Sequence, residues 1–356
     1  MLTIAITNRN RDLRIVENCL NSLAHQSNTN FKVVLVDYGS EIGYLEVLKE
    51  KIIHYNFVEF ISCPVQYQLW NKSRAINIAL KRTDSKFFLV GDIDLIFHPD
   101  FINKSLNYLK DNVAVYFKYA FLSKEEPLQN KQFDEYEIDF FGGKEITGTT
   151  LFVSEALKEL NGYDEFYHGW GAEDTDIHIR LKNFDKKISY IDSEVLIKHQ
   201  WHPKSYRSVE SIHPFHSLLE RINHKYMILS SKTKATVVNL NSDWGLVPNV
   251  KDYNNLDKKA DISICIENSE IEFSGLIGQL NNLKNVTVEV LITRVSKHVY
   301  YKQTLKRLLR KKHISYLGLQ SLNNMLLEEI IRNYRSKPYI FNFDRNSETI
   351  HLKIKL

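Results

Sequence analysis

Three carboxylates stand within four positions of the chain, in the segment Gly169-Trp170-Gly171-Ala172-Glu173-Asp174-Thr175-Asp176. Like charges this close repel one another, so a fold keeps them only where a cation, a network of donors or a transferable proton compensates. The flanking glycines let the backbone turn sharply around the tryptophan. We therefore interpret this acidic loop as part of a functional site.

A second acidic element, Gly91-Asp92-Ile93-Asp94, directly follows the apolar run Phe87–Val90. Asp-x-Asp pairs are common in loops, but one at the end of a strongly apolar strand is better placed to serve a site. Hard cations prefer oxygen ligands, and Mn²⁺-type ions also accept imidazole. Asp94 is thus a candidate metal ligand, and His199 could complete the site, with His202 as the second choice.

Short apolar runs alternate with helical patterns over the first 90 residues. The apolar runs cover residues 2–6, 31–36, 58–62 and 87–90, and the helical patterns cover residues 13–23 and 73–81. Strands that alternate with helices call for a parallel sheet, whose ligands bind beyond the carboxyl ends of the strands. Polar loops follow three of these strands, at Asn8–Arg11, Asp37–Ser40 and Asp92–Asp94. The sequence therefore predicts a Rossmann-like α/β domain with a mainly parallel sheet and a site at one edge.

The polar loops carry groups that suit a nucleoside diphosphate sugar. Arginine contacts phosphate through two hydrogen bonds, and Lys72 and Arg74 stand at a helix start, which also favours a diphosphate. Asp37 can accept a hydrogen bond from the N3–H of uracil. Each group taken alone could equally be a solvated surface residue. The residues predicted to bind a nucleotide sugar are Asn8, Arg9, Arg11, Asp37, Arg74, Asp92 and Trp170.

Transfer of a sugar requires stabilisation of the leaving group and deprotonation of the acceptor. A divalent cation that bridges phosphate oxygens neutralises the charge on the leaving nucleotide. A carboxylate takes the proton of the acceptor hydroxyl as its oxygen attacks the anomeric carbon. We assign the base to Asp174, while Glu173 could raise the pKa of its neighbour or accept an acceptor hydrogen bond, and Asp176 could cap the following helix. The two acidic elements together predict a metal-dependent sugar-nucleotide transferase.

The composition narrows the class of protein. Among 356 residues, Lys and Arg exceed Asp and Glu by only four, too few to indicate nucleic-acid binding. Three distant cysteines predict thiols in a reducing compartment, and the sequence shows no signal peptide and no apolar run of the ~20 residues that a membrane span needs. We expect a cytoplasmic protein. The basic helical stretch 302–313 could rest on anionic lipid at the inner face of the membrane, or could be a solvated helix face.

The chain divides by pattern into a catalytic domain over residues 1–225, a polar linker over 226–259 and a small α/β module over 260–356. The last module repeats the strand and helix pattern of the first 90 residues without its polar loops, with residues 313–317 as its third strand. It could be a degenerate half-repeat or an independent βαβ pattern. The charged stretch 123–139 lacks periodicity and predicts a mobile surface loop.

The acidic loop resembles the Gly-Trp-Gly-Gly-Glu-Asp signature of β-1,4-galactosyltransferases, which also occurs in polypeptide GalNAc-transferases and bacterial chondroitin-type synthases. Asn8–Arg11 is similar to the Arg-Asn-Arg that holds UDP in the galactosyltransferases, and Val36–Ser40 is similar to the Val-Asp-Asp-Gly-Ser of glycosyltransferase family two. The resemblance covers roughly residues 1–220. It implies a GT-A fold, a UDP-hexose or UDP-N-acetylhexosamine donor, inverting single displacement and a glycan or lipid-linked glycan acceptor.

Carried over by position, the resemblance implies that Asp94 and His199 bind the metal and that Asp174 is the catalytic base. Glu173 would bind the acceptor, and Trp170 would contact sugar from a mobile loop. In two places the chain departs from the signature: Ala172 replaces the second glycine, and Leu196 stands where the galactosyltransferases carry a metal-binding methionine. The cofactor implied is Mn²⁺, with Mg²⁺ left open.

We expect a hexosyl- or N-acetylhexosaminyltransferase that builds a bacterial surface glycan. Two rival hypotheses remain at this stage. A glycan-binding or scaffold subunit would not need the intact Asp94, Asp174 and His199. A nucleotidyltransferase shares the metal and nucleotide loops, but it has no need of the Trp-Gly-x-Glu-Asp element and would release pyrophosphate instead of UDP.

Overall fold

Strand β1 (Leu2–Asn8) is fully buried near the middle of a seven-stranded sheet. In the computed structural model, which describes residues 1–129, 131–203, 214–241 and 243–356, this sheet has the order β10-β6-β9-β4-β1-β2-β3. Its other strands are β2 (Phe31–Tyr38), β3 (Val58–Cys63), β4 (Phe87–Asp92), β6 (Ala114–Phe117), β9 (Thr150–Val153) and β10 (Ile188–Ile191). Only β9 runs antiparallel to its neighbours, so the predicted mainly parallel sheet is confirmed.

Helices cover the sheet because its central strands are apolar on both faces. They are α1 (Leu13–Ala24), α2 (Ile42–Ile52), α3 (Lys72–Lys81), α4 (Phe101–Tyr108), α5 (Ser154–Glu159) and α6 (Glu173–Asn183). Helix α1 packs Val16, Leu20 and Leu23 into the same core as Ile4 and Ile6 of β1. Polar side chains begin these helices: the Oδ1 atom of Asp12 accepts from the backbone N–H of Arg14, and that of Asn71 accepts from Arg74.

A second, four-stranded sheet has the order β5-β11-β7-β8. Its strands are β5 (Leu95–Phe97), β7 (Tyr119–Leu122), β8 (Ile138–Phe141) and β11 (Ile197–His199). The antiparallel pairing of β11 with β5 opposes His199 to Leu95, the residue after Asp94. This pairing brings together two parts of the chain that are about a hundred residues apart in sequence.

The stretch 123–139, which the sequence predicts as a mobile surface loop, lies mostly at the surface, but its described residues have local structure. They contain two short 3-10 helices, Glu126–Leu128 and Phe133–Glu135. Phe133 and Tyr136 are buried, and the Nζ atom of Lys198 donates to their carbonyl oxygens at 2.6 and 2.9 Å. The charged residues of this stretch suggest that it is exposed, but the buried side chain of Lys198 binds the backbone of the loop.

Two compact units divide the described residues. The described residues of the first lie within 1–63, 70–203 and 220–247, and those of the second are 64–69, 214–219 and 248–356. Helix α7 (Leu219–Lys232) crosses residue 225, where the sequence placed a domain boundary. The segment expected as a linker is shared between the units, since residues up to 247 belong to the first and residues 248–259 to the second. Within the first unit, Arg180 donates to the carbonyl oxygen of Thr236 and Asn183 to that of Ala235.

The second unit contains a four-stranded sheet with the order β12-β13-β15-β14. Its elements are α8 (Val250–Asn254), β12 (Ile262–Glu267), α9 (Glu270–Leu280), β13 (Thr287–Thr293), α10 (Lys297–Leu308), α11 (Leu319–Glu329), β14 (Tyr339–Asp344) and β15 (Thr349–Lys355). Strands β12 and β13 are parallel, as are β1 and β2, but the similarity ends there. Residues 313–317 form only an isolated bridge between Tyr316 and Ser269, and β14 pairs with β15 instead of β12. None of the helices among the described residues is long and apolar enough to cross a bilayer.

Candidate active site

The carboxyl ends of three adjacent strands bring the polar loops together, as the sequence predicts. The register pairs Asn8 of β1 with Asp37 of β2, and Thr7 of β1 with Asp92 of β4. Parallel strands end at the same edge of a sheet, so a motif that follows each strand contributes to one site. Asp92, Asp37 and the Asn8–Arg11 loop therefore share one edge.

Lys72, the first residue of α3, lies among three carboxylates. Its Nζ atom is 2.9 Å from Oδ1 of Asp92, 3.1 Å from Oδ2 of Asp174 and 3.7 Å from Oε1 of Glu173. The sequence suggested this lysine for the diphosphate of a nucleotide. The structure instead makes it the cation that compensates the clustered acids, and three carboxylates against one ammonium leave the group with an excess of negative charge.

Asp174 is half-buried, and the loss of hydration raises its pKa well above the usual value for an aspartate. Glu173 and Asp92 raise it further, while the ammonium of Lys72 opposes the shift. Its Oδ1 atom is buried and accepts no hydrogen bond from the described residues. A carboxylate with a raised pKa and one uncommitted oxygen is suited to accept a proton.

The backbone of the acidic loop explains how these acids reach α3. Gly169, Gly171 and Ala172 all have positive φ angles, of 70°, 96° and 77°. This left-handed conformation costs little for glycine but strains alanine. Ala172 thus adopts, at the start of α6, a backbone conformation that glycine would adopt at lower cost. The glycine of the signature would fit this position without strain. Trp170 is 46% exposed between the two glycines.

Asp94 lies with two histidines and an arginine. Its Oδ1 atom is 3.4 Å from Nε2 of His199, and its Oδ2 atom is 3.1 Å from Nε2 of His202 and 3.2 Å from Nη2 of Arg11. One ligand atom from each of Asp94, His199 and His202 can be chosen so that all three lie within 4.8 Å of one another. The carboxylate and imidazoles could all contact one ion.

The electrostatics of this trio fit a divalent cation. Burial opposes the ionisation of Asp94, yet the two histidines and Arg11 hold its pKa well below the usual range, so the carboxylate is charged. Burial lowers the pKa of His199, which keeps its imidazole neutral and able to donate a lone pair. The Oδ1 atom of Asp94 is buried without a hydrogen-bond donor among the described residues.

His202 lies as close to Asp94 as His199 does, although the sequence ranked it second. Leu196 was aligned with a metal-binding methionine, but it is fully buried in the apolar core that also contains Phe97 and Phe101. A leucine side chain offers no ligand atom to a metal ion at this position. The i, i+3 spacing of the histidines is a usable signal, because His199 ends strand β11 and His202 follows it.

Several residues predicted to bind nucleotide have intramolecular partners. Asp37 is fully buried, accepts from the side chain of Asn8 at 2.7 Å and from the hydroxyl of Ser40 at 2.6 Å, and has a pKa raised by burial. As placed, it braces two loops and does not present an open carboxylate to a base. Arg74 is buried, and its guanidinium donates to the carbonyl oxygen of Leu246. Arg9 donates from Nε to the carbonyl oxygen of Gly39 at 3.1 Å.

Two residues of the site were missed by sequence reasoning. The hydroxyl of Tyr119 is 2.6 Å from that of Thr149 and donates to Oδ2 of Asp92 at 3.4 Å. Gly148 borders the same carboxylate: a methyl group added to it would lie 2.9 Å from Oδ2 of Asp92 and 3.6 Å from Oδ2 of Asp174. Neither belongs to a recognisable motif, so only the folded geometry reveals them.

Comparison with known families agrees with this geometry. Residues 3–155 match the family model of glycosyl transferase family 2, and residues 129–202 match the model described as the N-terminal domain of galactosyltransferase. Together the two matches span residues 3–202, and both models describe glycosyltransferases. They overlap over residues 129–155, which contain β8 and β9, and together they include Asp92, Asp94 and Asp174.

Curated relatives are about a quarter identical to this chain over the matched residues. Chondroitin sulfate synthase 3 of Mus musculus is 25% identical over 204 residues, which cover 54% of this chain and 23% of the synthase. Beta-1,4-galactosyltransferase 4 of Cricetulus griseus is 26% identical over 130 residues, which cover 35% of this chain and 33% of that protein. The chain thus matches less than two thirds of the length of either relative.

Among solved structures, the chain is similar to S. aureus TarS 1–349 in complex with UDP-GlcNAc. The TM-score is 0.47 and the sequence identity is 17%, and the match covers 65% of this chain and 69% of TarS 1–349. It is also similar to GalNAc-T7 with UDP, GalNAc and Mn²⁺, with a TM-score of 0.45, 14% identity, and coverage of 57% and 44%.

Proposed function

We propose that the protein is an inverting, metal-dependent glycosyltransferase that moves a hexose or N-acetylhexosamine from a UDP-sugar to a hydroxyl of a glycan acceptor. The observation that carries this proposal is the pair of adjoining clusters on one GT-A edge. One cluster is Lys72 with Asp92, Glu173 and Asp174, and the other is Asp94 with His199 and His202.

In the proposed reaction, Asp174 accepts the proton of the acceptor hydroxyl while that oxygen attacks the anomeric carbon. The bond between the anomeric carbon and the diphosphate breaks, and UDP leaves with the electron pair. A single displacement of this kind inverts the anomeric configuration. The raised pKa of Asp174 supports its role, because a base with a pKa nearer neutrality keeps the proton that it receives.

Lys72 has a positioning role in this scheme. Its ammonium holds Asp174 beside Asp92 and lowers the energy of the ionised base before the acceptor binds. Glu173, at 3.7 Å from the same ammonium, remains available to accept a hydrogen bond from an acceptor hydroxyl. Trp170, which is half exposed, would cover a sugar ring with its indole face.

The donor side is formed by Asp94, His199 and His202. A divalent cation bound there would neutralise charge on the leaving diphosphate. The set of one carboxylate and two imidazoles suits Mn²⁺ better than Mg²⁺, which prefers oxygen ligands alone. Arg11, at 3.2 Å from Asp94, has a guanidinium that can reach a phosphate oxygen of the same ligand.

The relatives support the substrate class. One is named a chondroitin sulfate synthase and another a beta-1,4-galactosyltransferase, so we infer that the acceptor is a carbohydrate, either free or lipid-linked. Synthesis of a bacterial surface polysaccharide is the role that we propose for this activity.

The test is product identification. The full chain is incubated with UDP-hexoses and UDP-N-acetylhexosamines, a panel of glycan acceptors, and either Mn²⁺, Mg²⁺ or a chelator. We expect UDP and an inverted glycoside, no turnover with chelator, and faster turnover with Mn²⁺. His202→Ala should lose the metal-dependent rate, whereas the exposed control His54→Ala should keep it.

Two outcomes would overturn the proposal in different ways. Release of pyrophosphate in place of UDP would identify a nucleotidyltransferase. Binding of glycans without turnover of any donor would identify a glycan-binding or scaffold subunit.

A further inference from the structure

Helix α10 (Lys297–Leu308) directs its largest apolar side chains away from the protein. Tyr301, Leu305 and Leu308 are 68, 58 and 72% exposed, and Leu309, just after the helix, is 57% exposed. Positions 301, 305 and 308 follow i, i+4, i+7 spacing, so they form one stripe along the helix. An ordinary surface helix turns such a stripe toward the core. Here the stripe is exposed, and every residue of this helix, all of them in the described part of the chain, is at most half-buried.

The less exposed side of the helix is the more polar one. Val299, Gln303 and Lys306 are half-buried, and they lie on the opposite face from Leu305. The helix begins normally, because the hydroxyl of Ser296 accepts from the backbone N–H of Val299. The exposed stripe is thus a property of a regular, capped helix.

Positive charge surrounds the stripe. Residues 297–313 contain seven Lys and Arg residues and no Asp or Glu. Because the whole chain carries a net charge of +4, the residues outside this segment carry a net charge of −3. The cations are Lys297, Lys302, Lys306, Arg307, Arg310, Lys311 and Lys312. The chain therefore concentrates its entire excess of positive charge at the place where it exposes leucines.

We propose that this segment, residues 297–313, docks on an anionic lipid surface. Helices that lie in a membrane interface combine an apolar stripe, which enters the boundary of the acyl chains, with lysines and arginines that reach the phosphate headgroups. Tyr301 has a ring and a hydroxyl that suit the same interface. The inference goes beyond the proposed function and does not rest on it.

The chemistry of the stripe favours lipid over the other polyanions that a basic segment can bind. A nucleic acid rewards cations and stacked rings, but it has no site for the exposed aliphatic side chains of Leu305, Leu308 and Leu309. A lipid surface rewards both features, since the leucines gain by leaving water and the cations gain by approaching phosphate. Docking would hold the glycosyltransferase domain near lipid-linked acceptors.

Vesicle flotation of the full chain tests the proposal. Vesicles of phosphatidylcholine alone are compared with vesicles of phosphatidylcholine and phosphatidylglycerol. We expect binding to the anionic vesicles only, with loss of binding at high salt. The quadruple variant Lys302→Gln, Arg307→Gln, Arg310→Gln, Lys311→Gln should weaken binding by at least about a hundredfold. The pair Leu305→Ser, Leu308→Ser should weaken it by about tenfold.

Matched controls change the same chemistry elsewhere in the second unit. Lys259→Gln with Lys284→Gln removes two exposed charges, and Ile271→Ser with Met325→Ser removes two exposed apolar side chains. Both controls should float as the wild type does, and circular dichroism should show that all variants are folded. Absence of flotation, equal flotation with both vesicle types, or equal loss in the controls would overturn the proposal. Binding of RNA or of an acidic protein through 297–313 without vesicle binding would also overturn it.

Discussion

The Nζ atom of Lys72 lies 3.1 Å from Oδ2 of Asp174, although the two residues are 102 positions apart in the chain. This contact joins the start of α3 to the start of α6. The ammonium of Lys72 partly compensates the repulsion among the clustered carboxylates, which is how the fold tolerates them together. The contact also gives the Asp174 carboxylate a cation that does not depend on a bound metal.

Replacement of Lys72 by Met should shift the pH dependence of the reaction. Without the ammonium, the pKa of Asp174 rises further, so the ionised fraction falls at neutral pH. We expect kcat/KM to drop by about a hundredfold at pH 7 and to recover partly as pH increases. The acidic limb of the kcat/KM profile for UDP release should therefore move to higher pH.

Lys72→Arg retains the charge and should keep the acidic limb near its wild-type position. Lys49→Met removes an exposed lysine of α2 and serves as the control. If Lys72→Met reduced the rate equally at every pH, the lysine would act only as a structural support.

Gly148→Ala should obstruct the donor site without unfolding the domain. The added methyl group would lie 2.9 Å from Oδ2 of Asp92 and 3.0 Å from the hydroxyl of Tyr119, so the carboxylate must move. Small displacements of reacting groups cost on the order of a hundredfold in rate. We expect that loss in kcat/KM for the donor, measured by UDP release, with little change in the free energy of unfolding.

Gly43→Ala is the matched control for Gly148, because a methyl group there meets no atom within 4 Å. Wild-type kinetics in both variants would show that the space beside Asp92 is not used by the donor.

Ala172→Gly should stabilise the protein. The residue has a φ angle of 77°, a left-handed conformation that costs an alanine roughly 1 kcal/mol relative to glycine. We expect the free energy of unfolding in urea to increase by about that amount. Ala24→Gly, at the exposed end of α1, should change stability in the opposite direction, because glycine weakens a regular helix. A loss of stability in both variants would contradict the strain assigned to Ala172.

His178 should make stability depend on pH. Burial, with a contribution from Lys182, lowers its pKa from 6.5 to about 3, and its Nε2 atom is 2.9 Å from the hydroxyl of Thr150. The folded state binds the proton less well than the unfolded state, so the stability is complete above pH 6.5 and is lost as pH falls from 6.5 toward 3. This group should cost about 2 kcal/mol between pH 7 and pH 5.

His178→Gln removes the titrating group, and urea unfolding at the two pH values should show a correspondingly smaller decline in stability than the wild type shows. His54→Gln, at an exposed position, should leave the decline unchanged. An equal decline in all three proteins would show that His178 is not buried in its neutral form.

Much of the first unit follows from local pattern. Apolar runs alternate with helices over the first 90 residues, and this alternation was enough to predict the parallel strands β1 to β4 and the edge that carries Asp92 and Asp94. Strand β9 runs antiparallel between β4 and β6, and nothing in its four residues signals that direction. Direction of pairing is decided by tertiary contacts, which a local pattern does not contain.

Site residues could be predicted where a charged side chain follows a strand or stands in a motif. Contacts between site residues from distant segments of the chain could not be predicted. Asp94 and Asp174 stand in recognisable motifs. The pairing of Lys72 with Asp174 and the approach of Gly148 to Asp92 depend on how β4, β9 and α6 pack together. Asp37 shows the converse: its position after β2 was correct, but its burial against Asn8 and Ser40 could not be read from the sequence.

The most direct test of the account is the rate of UDP release by Asp174→Asn in the presence of donor, acceptor and Mn²⁺, compared with wild type and with the exposed control Asp192→Asn. We expect the kcat of Asp174→Asn to be lower than that of the wild type by a factor of between about 10² and 10⁴. This variant should bind UDP-sugar and Mn²⁺ as the wild type does, and Asp192→Asn should remain fully active. A kcat for Asp174→Asn within a few-fold of wild type would contradict the assignment of Asp174 as the base.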